Sequence, residues 1–246
     1  MNITAEEKIM YKVMKAIYDS GIPISFKGSM VLKACLIEAG YDDETRHTVD
    51  IDANWNSDNP PTSEQMVESL QKAIDNSSLD LEVRSFREAG EKRSAGFELI
   101  DRTTDEKLFT MDVDVNRPIP PTKIYEVEGL RFCGVSPTQM MADKVAVVST
   151  EKVFRRIKDV VDLYYFSKVY ELNVADIRQT LKNSERPLED FNGFLYKTEE
   201  LKHSYEKFRF AGDVNKPDFD EVYHIVKEYI KDMLPKEKKR EREYER

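Results

Sequence analysis

Cysteine and histidine are scarce: the 246 residues include two cysteines and three histidines. With no C-x-x-C pair, that shortage argues against a structural zinc site. Cys35 and Cys133 each lie in an apolar run, which fits a reducing compartment better than a disulfide framework. No apolar stretch approaches the length of a membrane span. The first seventeen residues are amphipathic and acidic and lack the apolar core of a secretion signal. A cytoplasmic protein with no membrane partner is expected. Also missing are a P-loop, the protein-kinase signatures and a G-x-S-x-G elbow, which removes the most legible phosphate-transfer and hydrolase classes. Positive charge is in deficit, with 38 Lys and Arg against 47 Asp and Glu and a net charge of −9. That is the wrong sign for a protein that coats nucleic acid, although it permits a local basic groove. Acid-rich sites, in turn, gain from divalent cations. There is no internal repeat.

What is present is a 40% hydrophobic fraction, enough for a packed core, beside 35% charged residues. Strand and helix patterns mix as far as Asn116, and from Ser136 onward the patterns are almost entirely helical. The sequence therefore predicts an α+β protein, with an α/β core over residues 1–135 and a helical region over 136–246. Thr4-Ala5-Glu6-Glu7 reads as a capping box for a helix with Ile9, Val13, Met14 and Ile17 on one face, ended by Ser20-Gly21. A short strand over Ile22 to Phe26 and a helix over Met30 to Ala39 follow. Next come a strand over Thr48 to Asn54 and a helix from Thr62 to about Ile74. Leu81 to Arg87 and Ala95 to Asp101 predict a hairpin across a loop with Gly90, and Leu108 to Val115 a further strand. Pro118, Pro120 and Pro121 break regular structure. Ser136-Pro137 opens a helix to Ser149. Further helices are expected over Val153 to Tyr170, Val174 to Lys182, Pro187 to Phe194 and Pro217 to Met233, with a solvated charged tail over Lys236 to Arg246.

Two acidic strands stand out. Asp50 and Asp52 flank Ile51, so in a strand both carboxylates share one face while Val49, Ile51 and Ala53 turn to the core. Like charges that close need a cation or a proton between them, and Mg²⁺, with its preference for hard oxygen ligands and open positions for phosphate, suits the pair. Asp112 and Asp114 repeat the pattern. If the two strands are neighbours, one further acid, Asp112 or Asp114, joins the pair; Asp114 lies nearer the strand's exit, where sites tend to open, but spacing leaves the choice open. Lys27-Gly28-Ser29 sits between a strand and a helix, where glycine lets a phosphate approach the backbone and the helix amides point at it. Arg46 precedes the acidic strand and could hold a triphosphate or pair with a carboxylate, while His47 reads as a surface loop residue. Downstream, Arg155, Lys158, Asp159 and Asp162 share a helical stripe opposite Ile157, Val160, Val161 and Tyr164. That stripe is either an exposed salt-bridge face or a positive face closing over phosphates, with Lys144 as the principal cation.

Taken in order, Phe26-Lys27-Gly28-Ser29, Arg46-x-Thr48-x-Asp50-Ile51-Asp52, Met111-Asp112-Val113-Asp114, Asp143-Lys144 and Arg155-x-x-Lys158-Asp159-x-x-Asp162-Leu163 resemble the AbiEii abortive-infection nucleotidyltransferase toxins. These belong to the DNA-polymerase-β-like nucleotidyltransferase superfamily. The resemblance runs from about Ile22 to Ser167. It implies a mixed sheet flanked by helices, Mg²⁺ on Asp50 and Asp52 joined by the later acid, and Gly28 and Ser29 at the phosphates of a nucleoside triphosphate. It also implies site roles for Lys144 and Asp159. In some members the acceptor is the end of tRNA, and the toxin works with a separate antitoxin encoded beside it. Many members have Gly-Gly where this chain has Gly28-Ser29, and the interval from Ser29 to Asp50 is longer than in many superfamily enzymes. The alternatives on the same fold are a nucleotidyltransferase with a small, aminoglycoside-like acceptor and a non-catalytic nucleotide-binding module.

Overall fold

The computed structural model describes residues 3–41, 45–88, 94–115, 118–210 and 215–235. Thr4 and Glu7 form the expected capping box at the start of α1 (Ala5–Asp19), and Val13, Met14 and Ile17 are buried. Strand β1 (Ile24–Lys27) passes directly into α2 (Gly28–Glu38), which starts two residues earlier than expected. In β2 (Asp50–Trp55) Ile51 and Ala53 are fully buried, but Val49 precedes the strand and is 67% exposed, contrary to its expected inward setting. A second capping box, Thr62 with Gln65, starts α3 (Ser63–Asp75). The predicted hairpin forms as β3 (Leu81–Arg87) and β4 (Ala95–Asp101), with Gly90 outside the described residues, and β5 (Lys107–Asp114) follows.

A further hairpin, β6 (Thr122–Val127) and β7 (Leu130–Val135), was not anticipated. Its turn is made by Glu128 and Gly129, both in the left-handed region with φ of 49° and 77°. A two-residue hairpin loop of this type needs positive φ at both positions, a demand that Asn-Gly or Asp-Gly would have signalled and Glu-Gly does not.

The seven strands form one mixed sheet in the order β3-β4-β5-β2-β1-β7-β6. β2 pairs parallel with β5 and β1 parallel with β7, and the other neighbours are antiparallel. Val13 and Ile17 of α1, with Leu70 and Ile74 of α3, pack against Val83, Phe97, Leu99 and Met111, so these two helices cover one face of the sheet. The alternating residues of β2 and β5, including every candidate acid, point to the other face.

The second half begins with α4 (Pro137–Val148), capped by Ser136 as expected. The helix expected over Val153 to Tyr170 is shorter: a 3-10 turn spans Val153–Arg156 and α5 runs only from Ile157 to Phe166. The remaining helices are α6 (Val174–Asn183), α7 (Asn192–Tyr196), α8 (Thr198–Lys207) and α9 (Phe219–Tyr229), which ends in a 3-10 turn. Residues 187–191 are irregular instead of helical, and α8 had not been expected. The tail over Lys236 to Arg246 lies outside the described residues. Both α4 and α5 contact α2, and a single apolar core joins the sheet to the helical half. Among the described residues no helix is long and apolar enough to cross a membrane.

Candidate active site

Strand register brings the candidate residues into one row. Lys27 pairs with Asp52, Asp52 with Asp112, Asp112 with Gly96, and Gly96 with Arg87. Five adjacent strands thus carry a cation, two acids, a gap and a second cation across one face of the sheet. Asp50 lies two residues from Asp52 on the same face, opposite Thr110. The register bears on the choice that spacing left open between Asp112 and Asp114. Asp112 stands beside Asp52, whereas Asp114 is level with Asn54, on the side away from the glycine turn. Lys27 Nζ reaches Asp114 Oδ2 at 2.6 Å and Asn54 Oδ1 at 2.8 Å, and Ser94 Oγ donates to Asp114 Oδ1 at 2.6 Å. Lys27 and Asp114 neutralise each other at the margin of the site, and Asp112 is the acid nearest the Asp50–Asp52 pair.

Gly28 closes the other side. Its φ is +71°, which disfavours a side chain, and a Cβ there would overlap Asp52 Oδ2 and come within 3.1 Å of Asp52 Cβ and Cγ. The glycine turn and the acid pair are therefore in contact. No side chain caps the N-terminus of α2, whose first turn contains Ser29.

Burial, aided by the charge of Asp50, raises the Asp52 carboxyl above its ordinary value against the pull of Lys158, Lys27 and Lys144. Asp112 is also raised, first by burial and then by Asp52 and Asp114, although Arg87 Nη2 bonds its Oδ1 at 2.5 Å. A site that crowds hard oxygen donors and disfavours the negative charge on Asp52 and Asp112 suits a divalent cation such as Mg²⁺. Among the described residues no three Asp, Glu, His or Cys side chains are gathered as a ready-made metal cage. Mg²⁺ commonly uses one or two carboxylates and completes its shell with water and substrate phosphate, so the acid pair is a sufficient protein contribution.

One cation differs from expectation, and a second takes one of its two expected roles. Lys144, expected as the principal phosphate cation, is only 8% exposed and lies 3.2 Å from Asp159 and 2.5 Å from Asp162. Burial alone would lower its pKa, but the two carboxylates raise it instead, so it stays charged inside the protein. Asp159 and Asp162 are buried at 3% and 2% exposed, so the expected stripe is not a uniform solvent face. Arg156 Nε bonds Asp159 at 2.9 Å, and Arg46 Nη2 bonds Asp162 at 3.1 Å. Arg46 thus takes the carboxylate alternative and ties the loop before β2 to α5. Lys158 remains exposed and acts on Asp52 through space.

Sequence reasoning missed Glu7 and Lys33. This buried pair, 2.5 Å apart, supports the approach to β2: Glu7 also accepts from the backbone amides of Thr4 and Thr48 at 2.9 and 3.1 Å. His47, expected on the surface, is half-buried with Nδ1 3.6 Å from Glu7 Oε1. Glu7 was legible as a helix cap, but its link to a loop 41 residues away was not.

Residues 13–225 match the family model described as nucleotidyl transferase AbiEii toxin, type IV TA system. Among solved structures the chain is similar to MenT4, a nucleotidyltransferase toxin from Mycobacterium tuberculosis. The identity is 13% and the TM-score 0.53, covering 94% of this chain and 92% of that one. It is also similar to an antigenic nucleotidyltransferase-like protein from Paracoccidioides brasiliensis, at 15% identity and a TM-score of 0.48 over 76% of this chain and 95% of that one. No individually curated protein matches the sequence. The family match spans most of the chain and the acid pair meets the glycine turn in space, so the protein belongs to the AbiEii family of toxin nucleotidyltransferases.

Proposed function

We propose that the protein moves a nucleoside monophosphate from a nucleoside triphosphate to a hydroxyl of an RNA acceptor, with tRNA as the acceptor class, Mg²⁺ as the cofactor and a cognate antitoxin as its regulatory partner in the cytoplasm. The observation that supports this most directly is the contact between Gly28 and the Asp52 carboxylate, beside Asp112 in the same row. Triphosphate oxygens are met by the uncapped amides of α2 and by the Ser29 hydroxyl, because a helix N-terminus favours anions. Asp50 and Asp52 would hold Mg²⁺, which supplies charge neutralisation to the phosphoryl oxygens when bound. Lys158, which is exposed, acts on Asp52 through space. Asp112 takes the proton of the attacking hydroxyl, an oxygen–phosphorus bond forms at the α-phosphorus, and the bond to pyrophosphate breaks. Lys144 and Asp159 act as positioning residues, fixing α5 so that Lys158 is presented. Placement and charge stabilisation carry such a reaction.

The test is transfer of label from each of the four nucleoside triphosphates to tRNA by wild type and by Asp52→Asn. The variant is expected to lose transfer by a factor on the order of a hundred or more. Transfer by the variant at the wild-type rate would overturn the assignment. Growth arrest on expression of the wild type, but not of Asp52→Asn, is the expected outcome in cells.

A further inference from the structure

The row of acids continues past Asp112 to a feature that the reaction described above leaves unused. β3 carries a bulge between Ser85 and Arg87, leaving Phe86 as the extra residue. Bulges kink a strand and re-aim a side chain, and they are common beside active sites. Here the ring of Phe86 is turned onto Gly96, where a Cβ would lie 2.6, 2.9 and 3.0 Å from Cζ, Cε1 and Cε2. Gly96 is the register partner of Asp112, so the ring end rests next to the acids in the same row. The residue is 49% exposed, on the face that α1 and α3 do not cover. Arg87 links the two: its guanidinium lies 5.5 Å from the Phe86 ring centre and bonds Asp112.

We propose that Phe86 is a stacking platform for a base of the RNA acceptor strand, with Arg87 as the flanking cation. This rests on the polynucleotide acceptor proposed above. The chemistry of the displacement chooses the acceptor over the triphosphate's own base. The leaving pyrophosphate lies toward Gly28 and Ser29, on β1 and α2. In-line attack requires the hydroxyl on the opposite side of the α-phosphorus, toward Asp112 and β3. The triphosphate's ribose oxygen is equatorial at that phosphorus and leaves the line sideways. Four inter-strand steps separate β1 from β3, roughly 19 Å, so the two ends of the row serve different ligands. An exposed aromatic face beside a guanidinium is the usual means of holding single-stranded nucleic acid without reading its sequence.

The plain structural alternative is that the ring only shields Gly96, and the experiment separates the two. Binding of a single-stranded RNA oligonucleotide is measured by fluorescence anisotropy without triphosphate, for wild type, Phe86→Leu and Phe86→Trp, with melting temperatures alongside. Phe86→Leu is expected to weaken RNA binding about tenfold. Phe86→Trp is expected to restore it, and affinity for triphosphate is expected to stay at the wild-type value in both. Equal RNA binding by Phe86→Leu and wild type would overturn the proposal. So would a loss falling on the triphosphate instead, a loss that Trp fails to restore, or no RNA binding by wild type. Transfer of label to RNA is read in a separate assay. Absence of transfer with aromatic-dependent binding intact would count against the proposed reaction and leave the platform standing.

Discussion

At Gly28 two demands coincide, and they can be separated by a second glycine. Gly28 and Gly40 both have positive φ, at 71° and 73°, so alanine is strained at either position by about 1–2 kcal/mol. Only at Gly28 does the added carbon meet a functional group; around Gly40 nothing lies within 4 Å. Gly40→Ala is therefore expected to lower stability by about that amount and leave nucleotide transfer near wild type. Gly28→Ala is expected to displace Asp52 and reduce transfer on the order of a hundredfold. Equal transfer by the two variants would show that the close approach is irrelevant. Asp52 adds a pH signature. Its carboxyl is raised in the folded protein by burial and by Asp50, so the folded state holds its proton to a higher pH than the unfolded chain does. Stability contributed at this residue is present at low pH and is lost as pH rises through the folded value. Without added divalent cation, Asp52→Asn is expected to melt above wild type at pH 7, with the difference narrowing as the pH falls toward 4. A variant that melts lower at pH 7 would contradict that account.

At the scale of elements, the buried cluster on α4 and α5 sets the geometry that the acids depend on. Lys144 on α4 bridges Asp159 and Asp162 on α5, and Asp162 passes the link to Arg46 ahead of β2. Lys144→Met removes the shared cation and leaves two buried carboxylates with only their outer arginines. Breaking a buried pair in this way costs about 3–5 kcal/mol, which urea denaturation would register as a lower midpoint. A change under 1 kcal/mol would mean that Arg46 and Arg156 suffice. The same cluster shows where the sequence was and was not legible. Local signals worked where the chain's own periodicity decides: the β3–β4 hairpin, the Thr4–Glu7 capping box and the starts of α3 and α4 all formed as expected. The Glu128-Gly129 turn hid the β6–β7 hairpin because its first residue gives no left-handed preference. Asp112 could not be preferred to Asp114 from spacing, since both share a face and only the pairing of β2 with β5 decides. Lys144 read as the principal phosphate cation because its partners lie 15 and 18 residues further on, on a helix that starts later than its pattern suggested.

At the scale of the whole molecule, the division into an α/β core and a helical region can be tested as a folding question. The last strand ends at Val135 and the next helix starts at Pro137. Packing does not divide there. Every residue of α2 from Met30 to Leu36 is buried, which a helix lying on one sheet face cannot achieve unaided, and α4 and α5 contact it. Lys33, paired to Glu7, is in this segment and 2% exposed. Tyr41 also packs edge-on against Tyr165 of α5, with ring centres 6.4 Å apart. Removing the helical half would return part of the α2 surface to water, at about 1.5–3 kcal/mol for each large apolar side chain fully uncovered. Three or four such residues would consume most of the 5–15 kcal/mol that stabilises an ordinary domain. The fragment of residues 1–135 is therefore expected to lack a cooperative thermal transition and to bind no triphosphate, whereas the full chain is expected to unfold in one transition seen alike by circular dichroism and tyrosine fluorescence. A soluble fragment that melts cooperatively would establish the first 135 residues as an independent folding unit, and would place the stabilising part of the core within the sheet and α1 instead of at the junction of α2 with α4 and α5.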